Sequence, residues 1–291
     1  MNKSYRWIGA IAILSTALLA GCDTVSDAVQ SVRQDVHEVV AATGDTVSGT
    51  TNDITDALMK NGEQLKLTAQ REIGTETVLR IDHAVGNIAL VPGSGNTLSV
   101  KTTVWFTDKK SYRNIAEEAE TSLVSTNGQL KIITNPKGNP SQDLWDWADS
   151  KFGYSRFKID YEVEVPASIT SFDITNNVGK ITMDNLKGVY QVHSDVGEIA
   201  VGGAYISGES QIESNAGKLR LSISGMAEDS SLKAKTDVGS IHASFADQLS
   251  CTLETDSDIG LVSGASKGKQ DINGGGPLVA LSSSVGNITI E

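Results

Sequence analysis

Three groups of residues in this 291-residue chain have the types and spacing to do chemistry. Gly264-Ala265-Ser266-Lys267-Gly268 matches G-x-S-x-G, the sharp turn that presents a nucleophilic serine. That chemistry needs a helix after the serine and a histidine further along. No helical period follows Ser266, and the last of the 4 histidines, His242, precedes it. His37, His83, His193 and His242 show no metal-ligand spacing, and His193 and His242 alternate with apolar neighbours, so both are expected to face solvent. A second group lies two residues before a recurring glycine and includes Asp237 and Asp258. Stacked together, these carboxylates would call for calcium, whereas a mixed row of amides, acids and hydroxyls would bond turn backbone. The third group is Trp145, Trp147, Tyr154 and Arg156, in what reads as one loop. Aromatic faces beside Asp and Arg suit a sugar or protein ligand, or packing over an open core end.

The elements that position these groups come from a repeat. Val-Gly-x-Ile-like units centre on Gly179, Gly197, Gly217, Gly239, Gly260 and Gly286, with an upstream copy at Gly86. Successive glycines from Gly179 lie 18, 20, 22, 21 and 26 residues apart, the length of one solenoid coil. Apolar residues fall seven and five positions before the glycine, as in Phe172 and Ile174, and two and four after it, as in Ile181 and Met183. Period two on both sides predicts two short strands meeting at a glycine corner, with coils stacking about 4.8 Å apart into one interior. The residues three before glycine (Asn176, Ser194, Ser214, Thr236, Ser257, Ser283) and two before it (Asn177, Asp195, Asn215, Asp237, Asp258, Ser284) are expected to form two polar ladders. Copies five and six look irregular: Thr255-Asp256-Ser257 is expected to displace the Leu253 strand, and Lys267 to Pro277 to lengthen the next coil. Between Leu98 and Val165 the grammar breaks, with strands expected at Thr102–Phe106 and Gln129–Thr134 and a helix at Ser111–Ser122.

The chain ahead of the repeat has its own logic. Lys3 and Arg6 precede an apolar run from Ile8 to Ala20 that is too short to span a membrane, which marks residues 1–21 as a secretion signal. With 24 basic and 36 acidic residues the net charge is −12, and loss of Lys3 and Arg6 takes it to −14. That balance opposes binding to nucleic acid or to anionic lipid by charge. Of the 2 cysteines only Cys251 would remain free of the leader boundary, so no intramolecular disulfide is expected and Cys251 reads as a buried small apolar residue. Val25, Val29, Val32, Val36 and Val39 make a heptad stripe over residues 25–40. Residues 22–64 therefore read as an acidic, partly helical stalk, whose stripe could dock on the domain or on a sister chain.

Two resemblances add to this. Leu19-Ala20-Gly21-Cys22 resembles the lipobox of bacterial lipoproteins, which implies cleavage before Cys22, its acylation with diacylglycerol and palmitate, and a lipid anchor on the extracytoplasmic side of the cell membrane. Asp23 resembles the inner-membrane retention signal of some of them. Val85-Gly86-Asn87-Ile88, the strand Tyr161-Glu162-Val163-Glu164-Val165-Pro166 and Ile174-Thr175-Asn176-Asn177-Val178-Gly179-Lys180-Ile181 together resemble a bacterial family of unknown function labelled "putative adhesin", over about Leu65 to Glu291. The expected fold is all-β: a single-stranded, β-helix-like β-solenoid over 65–291, with a small α+β flanking or capping insertion at 91–168 and an N-terminal helical spacer. The expected function is a membrane-anchored envelope module that binds a protein or glycan without a cofactor. The alternative is a β-helix enzyme acting on a polysaccharide, disfavoured because the corner carboxylates have no convergent arginine.

Overall fold

The computed structural model describes residues 62–107, 110–153 and 155–291. The expected signal segment, Cys22, Asp23, the stripe at 25–40 and Tyr154 lie outside the described residues. Strands β1 (Gly62–Glu72), β2 (Val78–Val85), β3 (Ile88–Pro92) and β4 (Thr97–Thr107) lead to helix α1 (Lys110–Glu117), β5 (Ala119–Thr126), β6 (Gln129–Pro136), helix α2 (Leu144–Phe152) and β7 (Phe157–Val165). There follow β8 (Ser171–Val178), β9 (Ile181–Asp184), β10 (Lys187–Ile206), β11 (Glu209–Met226), β12 (Ser231–Val238) and β13 (Ile241–Phe245). The remainder is β14 (Cys251–Ile259), β15 (Val262–Ser263), β16 (Gly268–Ile272), β17 (Leu278–Val285) and β18 (Ile288–Ile290). Among the described residues the fold is all-β apart from these two short helices.

The repeats stack in parallel as two ladders. Strands before the glycines run β2–β8–β10–β11–β12–β17–β14. Strands after them run β3–β9–β10–β11–β13–β18–β15. Equivalent positions stand in register: Ile88, Ile181, Ile199, Leu219, Ile241, Ile288 and Val262 form one column. All but Val262 are buried, and each contributes about 1.5–3 kcal/mol through removal from water. The interior tapers along the stack. Phe172 and Tyr190 fill it with rings 5.3 Å apart, whereas further on Ala234 and then Thr255 stand in the column of Ile174, Val192 and Ile212, and Ala243 and then Gly264, beside Ile290, in that of Met183, Val201 and Leu221.

Three expectations need correction. The copies do not stack in chain order, because β17 inserts between β12 and β14. The chain can do this because Gly268–Ile272 turns back as β16, antiparallel on β14, and returns to fill the place beside β12. Ser284 therefore separates Asp237 from Asp258, which stand two rungs apart, roughly 9–10 Å. Leu253 is not displaced either; it pairs with Val279 and is fully buried. Finally, the expected helix at Ser111–Ser122 ends at Glu117, and Ala119–Thr126 is a strand. Asn127 (φ 51°) and Gly128 (φ 79°) make the two-residue turn that pairs β5 with β6, and Ala119 and Thr121 then alternate inward. The 91–168 segment thus lengthens both ladders: β6 and β5 continue from β2, and β7 and β4 from β3, with β1 outermost on β4.

The two ladders meet at a column of glycines. A Cβ on Gly179, Gly197, Gly217, Gly239, Gly286 or Gly260 would stand 1.6–2.0 Å from the carbonyl oxygen of the preceding glycine, and one on Gly86 would stand 1.8 Å from the Ile159 oxygen. The residues three before glycine point inward at this column. Asn176 donates to the Gly86 oxygen (3.0 Å), Ser283 to that of Gly239 (3.1 Å) and Ser257 to that of Gly286 (2.9 Å). Thr236 adds a longer contact to the Gly217 oxygen (3.4 Å), so four of the six residues of the inner polar ladder donate to corner carbonyls, whereas the buried Ser194 and Ser214 hydroxyls find no partner among the described residues. Gly217→Ala should cost about 3 kcal/mol or more, because its clash is with backbone. Gly138→Ala, at φ 74° with open space around it, should cost only roughly 1–2 kcal/mol. Urea midpoints of the two variants check the contrast.

Candidate functional site

A cleft of about 770 Å³ opens on the edge opposite the glycine column, where second-ladder strands turn back to the first. It exists because these return loops lengthen along the stack. After β10 the return is Ser207-Gly208, after β11 it is Ala227–Ser230, and after β13 it is Ala246–Ser250. Ser230 N–H donates to the Ala227 oxygen (3.1 Å) and Leu249 N–H to that of Ala246 (2.8 Å), closing each loop as a tight turn. The Asn273–Pro277 segment completes the wall. Asn273 Nδ2 donates to the oxygens of Asp247 (2.9 Å) and Leu249 (2.8 Å), tying the walls together.

Tyr205 dominates the floor. Its ring leans over Gly225 so closely that a Cβ there would stand 2.7 Å from the ring. Lys187 Nζ lies 4.7 Å from the ring centroid, which steadies the ring by cation–π attraction. Met226, Leu249 and Pro277 add apolar wall, while Glu228, Asp247 and Gln248 place exposed polar groups at the rim. The arrangement offers an aromatic surface, apolar walls and acceptors for hydroxyl or cationic groups. It brings together no nucleophile and base. Sequence reasoning picked out the Gly274 loop as a break in the repeat but missed Tyr205, whose signal was a tyrosine directly followed one rung later by a glycine.

A second, smaller groove of about 260 Å³ runs across the outer side of the second ladder, lined by Asp184, Arg220, His242 and Glu291 among others. It forms because Ala200 and Gly202 leave little side chain between taller neighbours. Arg220 Nε lies 3.3 Å from Glu198 Oε1, and Lys180 Nζ lies 3.1 Å from the same oxygen. Glu198 thus bridges two cations, Lys180 and Arg220. An arginine does converge with carboxylates here, which the sequence reading did not foresee because Arg220 lies outside the glycine corner.

The expected aromatic set is divided. Trp145 is 2% exposed, stacked on Phe157 at 5.6 Å, and its Nε1 donates to the Phe157 oxygen (3.3 Å). It belongs to the core and offers no ring face to a ligand. The segment is a helix rather than a loop: the Asp143 side chain accepts from Asp146 N–H at its start and Gly153 closes it at φ 75°. Trp147 is half-buried against Phe152, with Lys151 Nζ 4.6 Å from its ring centre, and Arg156 is half-buried. Among the described residues no three His, Cys, Asp or Glu side chains converge as a metal site, and Asp237 instead holds Lys235 Nζ at 2.8 Å. Cys251 is buried, and burial raises its pKa. Ser266 lies between β15 and β16, with its oxygen accepting from Thr255 Oγ1 (2.9 Å) and no helix after it.

The histidines carry opposite electrostatics. His83 heads the inner polar ladder, 3% exposed, with Nε2 2.8 Å from the Ile159 oxygen and its ring against Trp145 and Tyr161. Burial pushes its pKa down to about 4. His193 is part-exposed, and its hydrogen bond to Asp195 (3.1 Å) raises its pKa.

Comparison with known proteins agrees with an all-β repeat fold. Residues 159–290, from β7 to β18, match the family model described as Toastrack DUF4097. This is shorter than the Leu65–Glu291 span of the expected resemblance. Among solved structures, a "putative cell adhesion protein" from Clostridium sporogenes ATCC 15579 is similar at 13% identity, over 78% of this chain and 99% of that one, with a TM-score of 0.45. A "putative adhesin" from Bacteroides fragilis NCTC 9343 gives 13% identity, 78% and 97% coverage and a TM-score of 0.38. One from Parabacteroides merdae ATCC 43184 gives 12%, 78%, 96% and 0.29. No curated protein matches. The chain therefore carries a Toastrack-like repeat region.

The His83 geometry sets a pH dependence. A group with a lowered folded pKa contributes stability that is fully present above its unfolded pKa of 6.5 and is lost as pH falls toward 4. The loss should approach roughly 3 kcal/mol at pH 4. His83→Gln keeps an N–H donor for Ile159 and cannot titrate, so urea midpoints measured between pH 7 and 4 should fall less steeply than in the parent.

Proposed function

We propose that this chain is a lipid-anchored envelope protein whose β-solenoid domain is a non-catalytic binding and scaffold module. In this reading Cys22 carries the acyl chains, residues 22–64 form the stalk and the domain engages a protein or glycan outside the cytoplasm. The observation that carries the binding role is the loop-walled cleft with Tyr205 seated on Gly225. A rigid aromatic ring with rim carboxylates suits the apolar face and hydroxyls of a sugar, or a protein side chain. The adhesin names of the similar structures are compatible with such a role. Trp147 and Arg156, at the opposite end of the stack, are a second contact surface in this proposal.

A glycan and matrix-protein array probed with the full chain tests the reading. Tyr205→Ala should weaken a positive spot at least tenfold, about 1.4 kcal/mol, while the urea midpoint reports on folding. Binding unchanged by Tyr205→Ala would remove the cleft from the proposal. The polysaccharide-acting alternative draws on the groove beside Asp184, Arg220 and His242. Release of shortened chains from an acidic polysaccharide, abolished by Arg220→Ala, would replace the binding-module reading.

Anchoring is tested separately. Cys22→Ser should move the protein from the membrane fraction to the soluble extracytoplasmic fraction, because stable attachment requires the acyl chains. Retention of the variant on membranes would overturn the lipid anchor.

A further inference from the structure

The last rung breaks the polar pattern at the corner. One residue after the glycine, the other rungs carry Asn87, Lys180, Glu198, Lys218, Ser240 and Asn287, whereas the rung at Gly260 carries Leu261. Leu261 is 73% exposed and Ile259, on the other side of Gly260, is 68% exposed. With the 40% exposed Val285 one rung behind, they form an apolar tip on a chain of net charge −12.

Backbone direction at this tip follows from the rungs before it. Gly86, Gly179, Gly239 and Gly286 each donate their N–H forward, to the residue before the next glycine (2.8–3.0 Å). Glycine carbonyls point forward too, since the Gly86, Gly239 and Gly286 oxygens accept from the next rung. At the last rung, exposed Gly260 therefore aims both its N–H and its C=O off the end of the stack. An edge that presents donor and acceptor on one residue is a template for another strand.

We propose that two copies of this chain pair end to end through the last rung, about a two-fold axis at Gly260. A hydrogen-bonded antiparallel pair exchanges both N–H···O bonds between two residues, and Gly260 carries both groups outward. Unlike the six parallel rung-to-rung contacts within the chain it is antiparallel, and no side chain at the corner stands in its way, because even a Cβ on Gly260 would point back at the Gly286 oxygen. Its register places Ile259 against the partner's Leu261 twice over and sets Asp258 opposite the partner's Val262 rather than another carboxylate. A long foreign strand is blocked, because β16 covers β14 from Cys251 to Thr255 and leaves only the segment around Gly260 free. Head-to-tail stacking is closed as well, since the Ile159 oxygen already occupies the outer side of Gly86. The only free glycine corner among the described residues is thus the tip itself, and a two-fold is the symmetry that joins like to like.

Cross-linking in cells that co-express two differently tagged full-length chains tests the register. One chain carries Ile259→Cys and the other Leu261→Cys, both at exposed positions that leave the core intact. Mild oxidation should join the two tags at least about tenfold faster than it joins chains carrying Lys233→Cys, an exposed site on the outer side of β12. Adding Asp258→Lys and Val285→Lys should leave monomer folding unchanged and slow the cross-link. A 259–261 cross-link no faster than the Lys233→Cys control would overturn the proposal, as would dimers that form only through residues 25–40 without that cross-link.

Discussion

The close approach of one glycine carbonyl to the Cα of the next glycine governs this structure. At distances that leave 2.0 Å or less for a Cβ, the corner excludes every side chain in seven successive rungs. Six of these glycines have φ between 136° and 157°, a region L side chains rarely enter. The corner therefore brings successive rungs together more closely than any other residue there would allow. The rest of the rung is arranged around it. Three positions earlier, a short polar side chain turns inward and at four rungs donates to a corner carbonyl, and one position earlier Val85, Val178, Val196 and Ala216 form a separate apolar strip.

The opposite edge is under no such constraint. There the chain only has to return from the second ladder to the first, and the loops differ in length from rung to rung. Shorter returns near β10 keep the edge closed, and longer ones after β11 and β13 let it open into the cleft around Tyr205. The narrowing of the core toward Thr255 and Gly264 runs in the same direction. A tight corner and a loose return edge thus divide the molecule into a side that fixes the stack and a side that can vary its surface.

Legibility in the sequence tracked the range of the interaction concerned. Apolar positions seven and five before the glycine and two and four after it were readable, because local alternation decides which face a strand residue takes. Trp145 was open to two readings, a ligand platform or packing over an open core end; its stacking on Phe157, across the end of α2, decides for the core. Tyr205 and Arg220 escaped notice for the converse reason. Each looks like an ordinary strand residue, and what sets it apart is a small residue on the adjacent rung, Gly225 under the tyrosine and Ala200 beside the arginine.

The sequence by itself determined the repeating rung: a glycine corner, two strands of alternating burial and an inward row of short polar side chains. These are decided within some fifteen residues by steric exclusion at glycine and by the two-residue period of extended chain. Only the tertiary structure decided the order in which rungs lie. The β17 strand stands between β12 and β14 because β16 folds back on β14, a choice between two chemically similar neighbours that local pattern cannot distinguish. That order separates Asp237 from Asp258 and puts the Ile259-Gly260-Leu261 corner at the end of the stack, because parallel rungs of the same grammar accept one another in either sequence.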